Sequence, residues 1–361
     1  MTKSLTNSMR GIAIIAIVLH NFIHWLGPMV KENEYTFNRH NTDRLLVEIM
    51  NPSVDLIAHL FSFFGHYGVP VFLFLSAYGL VKKYESRPGE VGSGWKRGCT
   101  FIWKHYKKLF SMMILGYTAF VMVDYMTPAP RHYEFWNVVG QILMISNFYP
   151  EPNHAIWPGP YWYFGLTMQL YIIYYLIIGR TKTWVTIVLT IACLAVQLGL
   201  GVDPMGNTLN WFRYNIFGAM LPVAFGIIVA RNEHLEHRLS RWQYMLVILL
   251  CIMITIAGSF NYHSWTLVVP LAICIGTMAI IRVLPQSMLR PLEWLGTISS
   301  MMFVCHPITR KVLIPIARHG DVYAALILYI AATIILAMIF KAIIELTPLA
   351  RPVKTSHKSD S

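Results

Sequence analysis

Apolar runs of roughly 18 to 25 residues recur from one end of the chain to the other, and that recurrence limits what it can fold into. As helices rising 1.5 Å per residue, such runs cross about 30 Å of hydrocarbon, where a backbone must satisfy its own polar groups. The 361 residues could hold two soluble domains by length, but 56% hydrophobic against 13% charged residues leaves too little polar surface for them. The sequence therefore reads as an all-α, polytopic membrane protein with about ten transmembrane helices, near 9–29, 56–81, 105–126, 161–179, 183–201, 214–230, 243–260, 265–282, 292–316 and 322–346. A single membrane-embedded domain is expected over 1–361, with a short tail at about 347–361.

An even number of spans puts both termini on one side. With that side cytoplasmic, 21 of the 29 Lys and Arg residues fall in inner segments, as the positive-inside rule requires. The net charge of +12 is thus topological, and its scatter over several loops speaks against nucleic-acid binding. The first apolar run is followed by no small-residue cleavage site and stays as helix one. Four of the five cysteines lie within spans and Cys99 has no partner at metal spacing, so neither a disulfide frame nor a zinc site is expected.

Between the spans, residues 82–104 read as a flexible inner loop, and 30–55 and 127–160 as long outer connections. The segment FWNVVGQILMISNFY in the second is too short to span, which suits an interfacial or re-entrant piece. Pro70, Pro222 and Pro270 could break helices, but their neighbours do not form the matching halves of an inverted-repeat transporter.

Polar residues inside the apolar runs are the candidates for chemistry. Arg10 stands at the inner threshold of helix one, and His20 lies about 15 Å further along the axis, near mid-span. His24 is one turn beyond on the same face, so that face must border protein or water. A neutral imidazole can take the proton of an alcohol at neutral pH; a hydrogen-bonded structural histidine is the competing reading. The His20–His24 spacing is that of a zinc helix, but Asn21 stands where the catalytic Glu would be, and no metal is expected. Lys104, Lys107 and Lys108, following Lys96 and Arg97, could hold phosphates or serve only as positive-inside anchors. Asp55 and His59, four apart, could present a face to a substrate or form a solvated helix end. Trp157, Tyr161, Trp162 and Tyr163 gather at an outer boundary, where rings are enriched and could also stack on a sugar.

Five segments resemble, in order, those of the acyltransferase-3 membrane proteins. They are MRGIAIIAIVLHNF, GVPVFLFLSAYGLVKKY, the Lys104–Lys108 cluster, WYFGLTMQLYIIYYLI and, more loosely, LEWLGTISSMMFVCHP. Where the family usually has ten residues between its Arg and His, nine separate Arg10 from His20, and Asn21 occupies the usual histidine position. At 100° per residue that rotates His20 about 80° from the expected line, which leaves His24 as an alternative base.

The resemblance implies transfer of an acyl group, usually acetyl, from cytoplasmic acyl-CoA to a hydroxyl of an extracytoplasmic carbohydrate or glycolipid, in a bacterial cytoplasmic membrane. Arg10, Lys104, Lys107 and Lys108 would then hold CoA phosphates, and His20, His24 and His306 are the catalytic candidates. Gln169, Tyr171 and Glu293, together with Asp55 from its spacing, are candidates along the substrate path. Glu293 also suits a first helical turn for its dipole alone. Membrane lipids would surround the chain, and self-association or contact with glycan-assembly proteins is left open. The rival class is a proton-coupled transporter or flippase, whose buried ionisable groups would relay protons.

Overall fold

The computed structural model describes residues 1–33, 37–85, 94–233 and 239–347, and every regular element among them is helical. The helices are α1 (Lys3–Ile23), α2 (Arg39–Met50), α3 (Leu56–Phe64), α4 (Gly68–Tyr84), α5 (Trp95–Met126), α6 (Phe135–Ile142), α7 (Pro152–Ala155) and α8 (Trp162–Leu176). They continue with α9 (Thr183–Leu200), α10 (Asn207–Tyr214), α11 (Ile216–Arg231), α12 (Arg241–Gly258), α13 (Tyr262–Val283), α14 (Gln286–His319) and α15 (Val322–Leu346). Eight spans among the described residues are long and apolar enough to cross a membrane, α3 and α4 counting as one, and α10 with α11, bent by 41°, makes up to nine. The span expected at 292–316 is the middle of the 34-residue α14, whose share of polar residues keeps it out of that group. This is the build of an integral, multi-pass membrane protein.

Several boundaries differ from the expectation. Helix α1 starts at Lys3, where the Thr2 hydroxyl accepts from the Leu5 amide, and leaves helical geometry after Ile23, ahead of Gly27 and Pro28. Its first turn is partly exposed at Lys3, while Asn7 and Ser8 in the second are buried against protein. Arg10 is thus two turns inside the helix and His20 sits in its last turn, not at its middle. The region expected as a flexible loop at 82–104 is largely helix: α4 runs to Tyr84 and α5 begins at Trp95, because an amphipathic basic segment can continue a helix beyond the lipid. Only 86–93 of that loop lie outside the described residues, as does the expected tail beyond residue 347. The connection at 30–55 contains α2, started by the Asn38 side chain accepting from the His40 amide. The short apolar segment after residue 134 supplies α6, a helix too short to span.

Helix α1 is the axis of the molecule, enclosed by α14 on one side and by α3 and α4 on the other. Close approach depends on glycines. A Cβ at Gly11 would lie 2.0 Å from the Leu292 carbonyl oxygen, and one at Gly296 would lie 1.9 Å from that of Asn7. Small residues let membrane helices meet backbone to backbone in this way. Gly65, between α3 and α4, does the same for the site, because a Cβ there would lie 2.6 Å from the His20 Cβ.

Candidate functional site

Two cavities border α1 and share a collar. The larger, about 650 Å³, opens among the first turns of α1, the end of α4, the start of α5 and α8. Its cations are Lys3, Arg10, Lys83 and Lys108. The smaller, about 140 Å³, contains His20, Asn21, His24, Glu32, His66 and Arg310. Ile17, Val69, Tyr163 and Phe303 line both, so one wall of the basic cavity is the threshold of the histidine cavity.

The fixed atoms in the smaller cavity are the histidines. His20 is buried, and its Nδ1–H donates to the Ser62 carbonyl oxygen at 2.7 Å. A carbonyl can only accept, so the neutral ring carries its proton on Nδ1 and keeps a lone pair on Nε2. His66, from the turn between α3 and α4, repeats this arrangement by donating Nδ1–H to the Phe63 carbonyl at 2.8 Å. Its Nε2 has no hydrogen-bond partner among the described residues. The His20 ring lies 5.2 Å from that of His24 and 5.5 Å from that of His66, centroid to centroid.

His24 differs because its Nδ1 is spent on the Glu32 carboxylate at 2.6 Å. Lys31 donates to the His24 carbonyl and fixes the same turn. Burial works to raise the Glu32 carboxyl, but the His24 hydrogen bond and the neighbouring imidazoles hold it well below the usual carboxylate range. Glu32 is therefore an anion at neutral pH. Opposite it, the Arg310 guanidinium is buried, donates to the Asn21 carbonyl at 3.3 Å and stacks 4.9 Å over the Trp25 ring.

In the basic cavity, Arg10 Nη1 donates to Asn7 Oδ1 at 3.1 Å, which leaves most of its guanidinium fork for other acceptors. On the facing wall, Tyr84 hydroxyl and His105 Nε2 are 2.9 Å apart and the Tyr171 ring lies 4.0 Å from that of His105.

The expected site residues divide accordingly. The structure brings together His20, His24, Arg10, Lys108 and Tyr171 along the two cavities. Lys104 and Lys107 lie outside both linings, Lys107 resting 5.8 Å over the Trp103 ring and Lys104 one turn before Lys108 on α5. Gln169 also lies off the path. It donates to Asn215 at 2.7 Å and accepts from the Ile216 amide at 3.0 Å, joining α8 to the break between α10 and α11. Asp55 is the residue before α3 and makes no side-chain cap there, while His59 accepts from the Val30 amide at 3.2 Å and lies 3.6 Å from Glu48, so His59 braces the α2–α3 region. Glu293 accepts from Ser4 at 2.7 Å, a tie between α14 and α1. His306 is buried one turn from Arg310, with Nδ1 facing the Met302 carbonyl at 3.3 Å and Nε2 unpaired among the described residues. Of the aromatic group, Trp162 and Tyr163 line the histidine cavity, while Tyr161 donates to the Val304 carbonyl at 2.9 Å and Trp157 lies 4.8 Å under Arg131.

Glu32, His66, His105, Lys83 and Arg310 escaped the sequence reading. His66 precedes the Gly-Val-Pro helix, His105 stands inside the lysine cluster and Arg310 is four residues after His306, all visible as spacings. Glu32 had no such signal, since a nonhelical stretch brings it back to α1.

Two adjoining cavities thus lie among the apolar helices, one lined by cations and the next by buried imidazoles. The acyltransferase-3 model, described as an acyltransferase domain, matches residues 6–344, so the chain belongs to the acyltransferase-3 family and is a membrane acyltransferase. No curated protein and no solved structure matches it.

Proposed function

We propose that this acyltransferase moves an acetyl or similarly small acyl group from cytoplasmic acyl-CoA to a hydroxyl of an extracytoplasmic carbohydrate or glycolipid. The observation that carries the reading is the shared collar: a cationic chamber on one side and the His20 lone pair immediately beyond. The orientation follows from helix directions. Ser4 meets Glu293 and Asn21 meets Arg310, so α1 and α14 run parallel, and the Thr309–Thr333 bond of 2.7 Å across a tight turn makes α15 antiparallel to α14. The start of α1 and the end of α15 then lie at the end that opens into the basic cavity, and the positive-inside excess supports a cytoplasmic side for that end.

Lys3, Arg10, Lys83 and Lys108 would hold the donor's phosphates by charge-assisted hydrogen bonds, and the thioester would reach the collar. His20 Nε2 takes the proton of the acceptor hydroxyl as its oxygen attacks the acyl carbon. The C–O bond forms, the C–S bond breaks and the thiol leaves with a proton. The Arg310 guanidinium in the same chamber would favour the negative charge that grows on the carbonyl oxygen. His24, with its Nδ1 on the Glu32 carboxylate, also keeps an Nε2 lone pair, and His20 is taken as the first base because it stands one turn nearer Ile17 on the shared wall.

Mass spectrometry of surface glycans from cells with and without the gene tests the proposal. An acyl mass present only with the gene, on a sugar hydroxyl, is expected. Identical glycan masses in the two strains, with acyl-CoA consumed by the purified protein, would move the acceptor to another class.

A further inference from the structure

The smaller cavity holds more ligating atoms than acyl transfer uses. One ligand atom each from His20, His24 and Glu32 lies within 4.8 Å of the other two. We propose that these three side chains form an inhibitory site for a soft divalent transition metal, Zn²⁺ being the commonest, which silences the enzyme by occupying the His20 lone pair. The inhibitory part rests on the reading of His20 as base; the metal site does not.

Four observations support it. The His20 ring is oriented by donation of its other N–H to a backbone carbonyl, the arrangement that points metal-ligating imidazoles in general. His66, oriented identically through Phe63, is only 4% exposed, lines the same cavity and keeps an Nε2, unpartnered among the described residues, that can approach as a fourth ligand or hold a metal-bound water. Two imidazoles and one carboxylate match zinc in ligand type, with nitrogen and oxygen distances of about 2.0–2.2 Å. The donors must close by about an ångström to reach those distances, and Glu32 can do so because its segment is not held in a helix.

The charges around the site set its character. Arg310 lines the cavity and Lys31 donates to the His24 carbonyl, and both repel a dication, while Glu32 is the single anion in the wall among the described residues. That balance favours reversible, micromolar binding over a resident cofactor. It also excludes Mg²⁺ and Ca²⁺, which need more oxygen ligands than one carboxylate supplies.

The test uses the full chain, purified in detergent with any affinity tag removed, and titrated with Zn²⁺ against a chromophoric chelator. One tight Zn²⁺ per chain is expected, undiminished by millimolar Mg²⁺, and weakened at least tenfold in both Glu32→Gln and His24→Ala. In the wild type, which avoids any doubt about variant folding, Co²⁺ should give four-coordinate absorption bands, and Zn²⁺ should protect His20 and His24 from carbethoxylation mapped by mass spectrometry. Over the same concentration range Zn²⁺ should stop acyl transfer, with recovery on adding chelator. Absence of a stoichiometric site, unprotected histidines, or variants that bind Zn²⁺ like the wild type would overturn the metal site. Zn²⁺ bound without inhibition would overturn the inhibitory role. A chain that binds Zn²⁺ as described yet transfers no acyl group would contradict the functional reading and leave the metal site standing.

Discussion

The two chambers along α1 are built on opposite principles. The basic one is wide, about 650 Å³, and its cations sit on long side chains from three helices. The histidine one is about 140 Å³, and His20, His24, His66 and Arg310 are each tied to a named backbone or carboxylate oxygen. A chamber that must grip a polyanion can rely on charge and adapt its geometry, because Coulomb attraction tolerates an ångström of error. A chamber that moves a proton cannot, since general-base catalysis needs hydrogen-bond distance and the correct tautomer. The difference predicts that substitutions in the first region change binding and those in the second change turnover.

The largest break should come where the chambers meet. Val69→Trp fills the collar from the wall common to both, and acyl transfer in reconstituted vesicles should fall by about a hundredfold while donor binding persists, as misplacing reacting groups by an ångström does. Reversing Arg10 or Lys108 to Glu should raise the donor's apparent dissociation constant by about tenfold, near 1.4 kcal/mol, with the rate at saturation nearly kept. Calorimetric or dye-based titration would read that split, and an unchanged constant would assign these cations to topology alone. Gln169→Leu should cost about 1–3 kcal/mol of stability by leaving the Ile216 amide and the Asn215 Oδ1 without Gln169, seen as a lower melting temperature with the donor constant unchanged. The smallest effect belongs to Lys104→Glu with Lys107→Glu: a shift in donor affinity within about twofold, as screened surface charges give.

The sequence made the architecture legible because lipid imposes a length and a composition on every span. Eight of the expected spans, from the pair α3–α4 and α8 through α15, coincide with helices for that reason, while α5 starts ten residues early. The departures lie where lipid no longer sets the rule: the polar start of α1, the helical extension of α5 and the helix α2 in a connection. Arg10, Lys108, His20 and His24 were legible because ionisable groups at helical spacing stand out in apolar sequence, Tyr171 came with the resemblance, and the structure sets all five along the two cavities. Gln169 stands outside both cavities, since a buried amide that caps a broken helix carries the same signature in sequence as one that binds substrate. Glu32 could not be found at all, since its partnership with His24 depends on how a nonhelical stretch folds back.

The departure in spacing between Arg10 and His20 also has a structural account. The 80° rotation would separate the two residues if both served one chamber, but each faces its own, and Ile17 between them lines both. The position of Asn21 is on the same wall, with its side chain turned back to the Ile17 carbonyl at 3.0 Å.

His20 against His24 is the most direct trial of this division of labour. His20→Gln and His24→Gln, reconstituted in vesicles with acyl-CoA inside and acceptor outside, should be compared for turnover at saturating donor. His20→Gln should lose about 10²–10⁴-fold in turnover with donor affinity intact, as removal of a general base does, and His24→Gln should lose far less. Full turnover in His20→Gln with loss in His24→Gln would contradict the account and move the base one turn along α1.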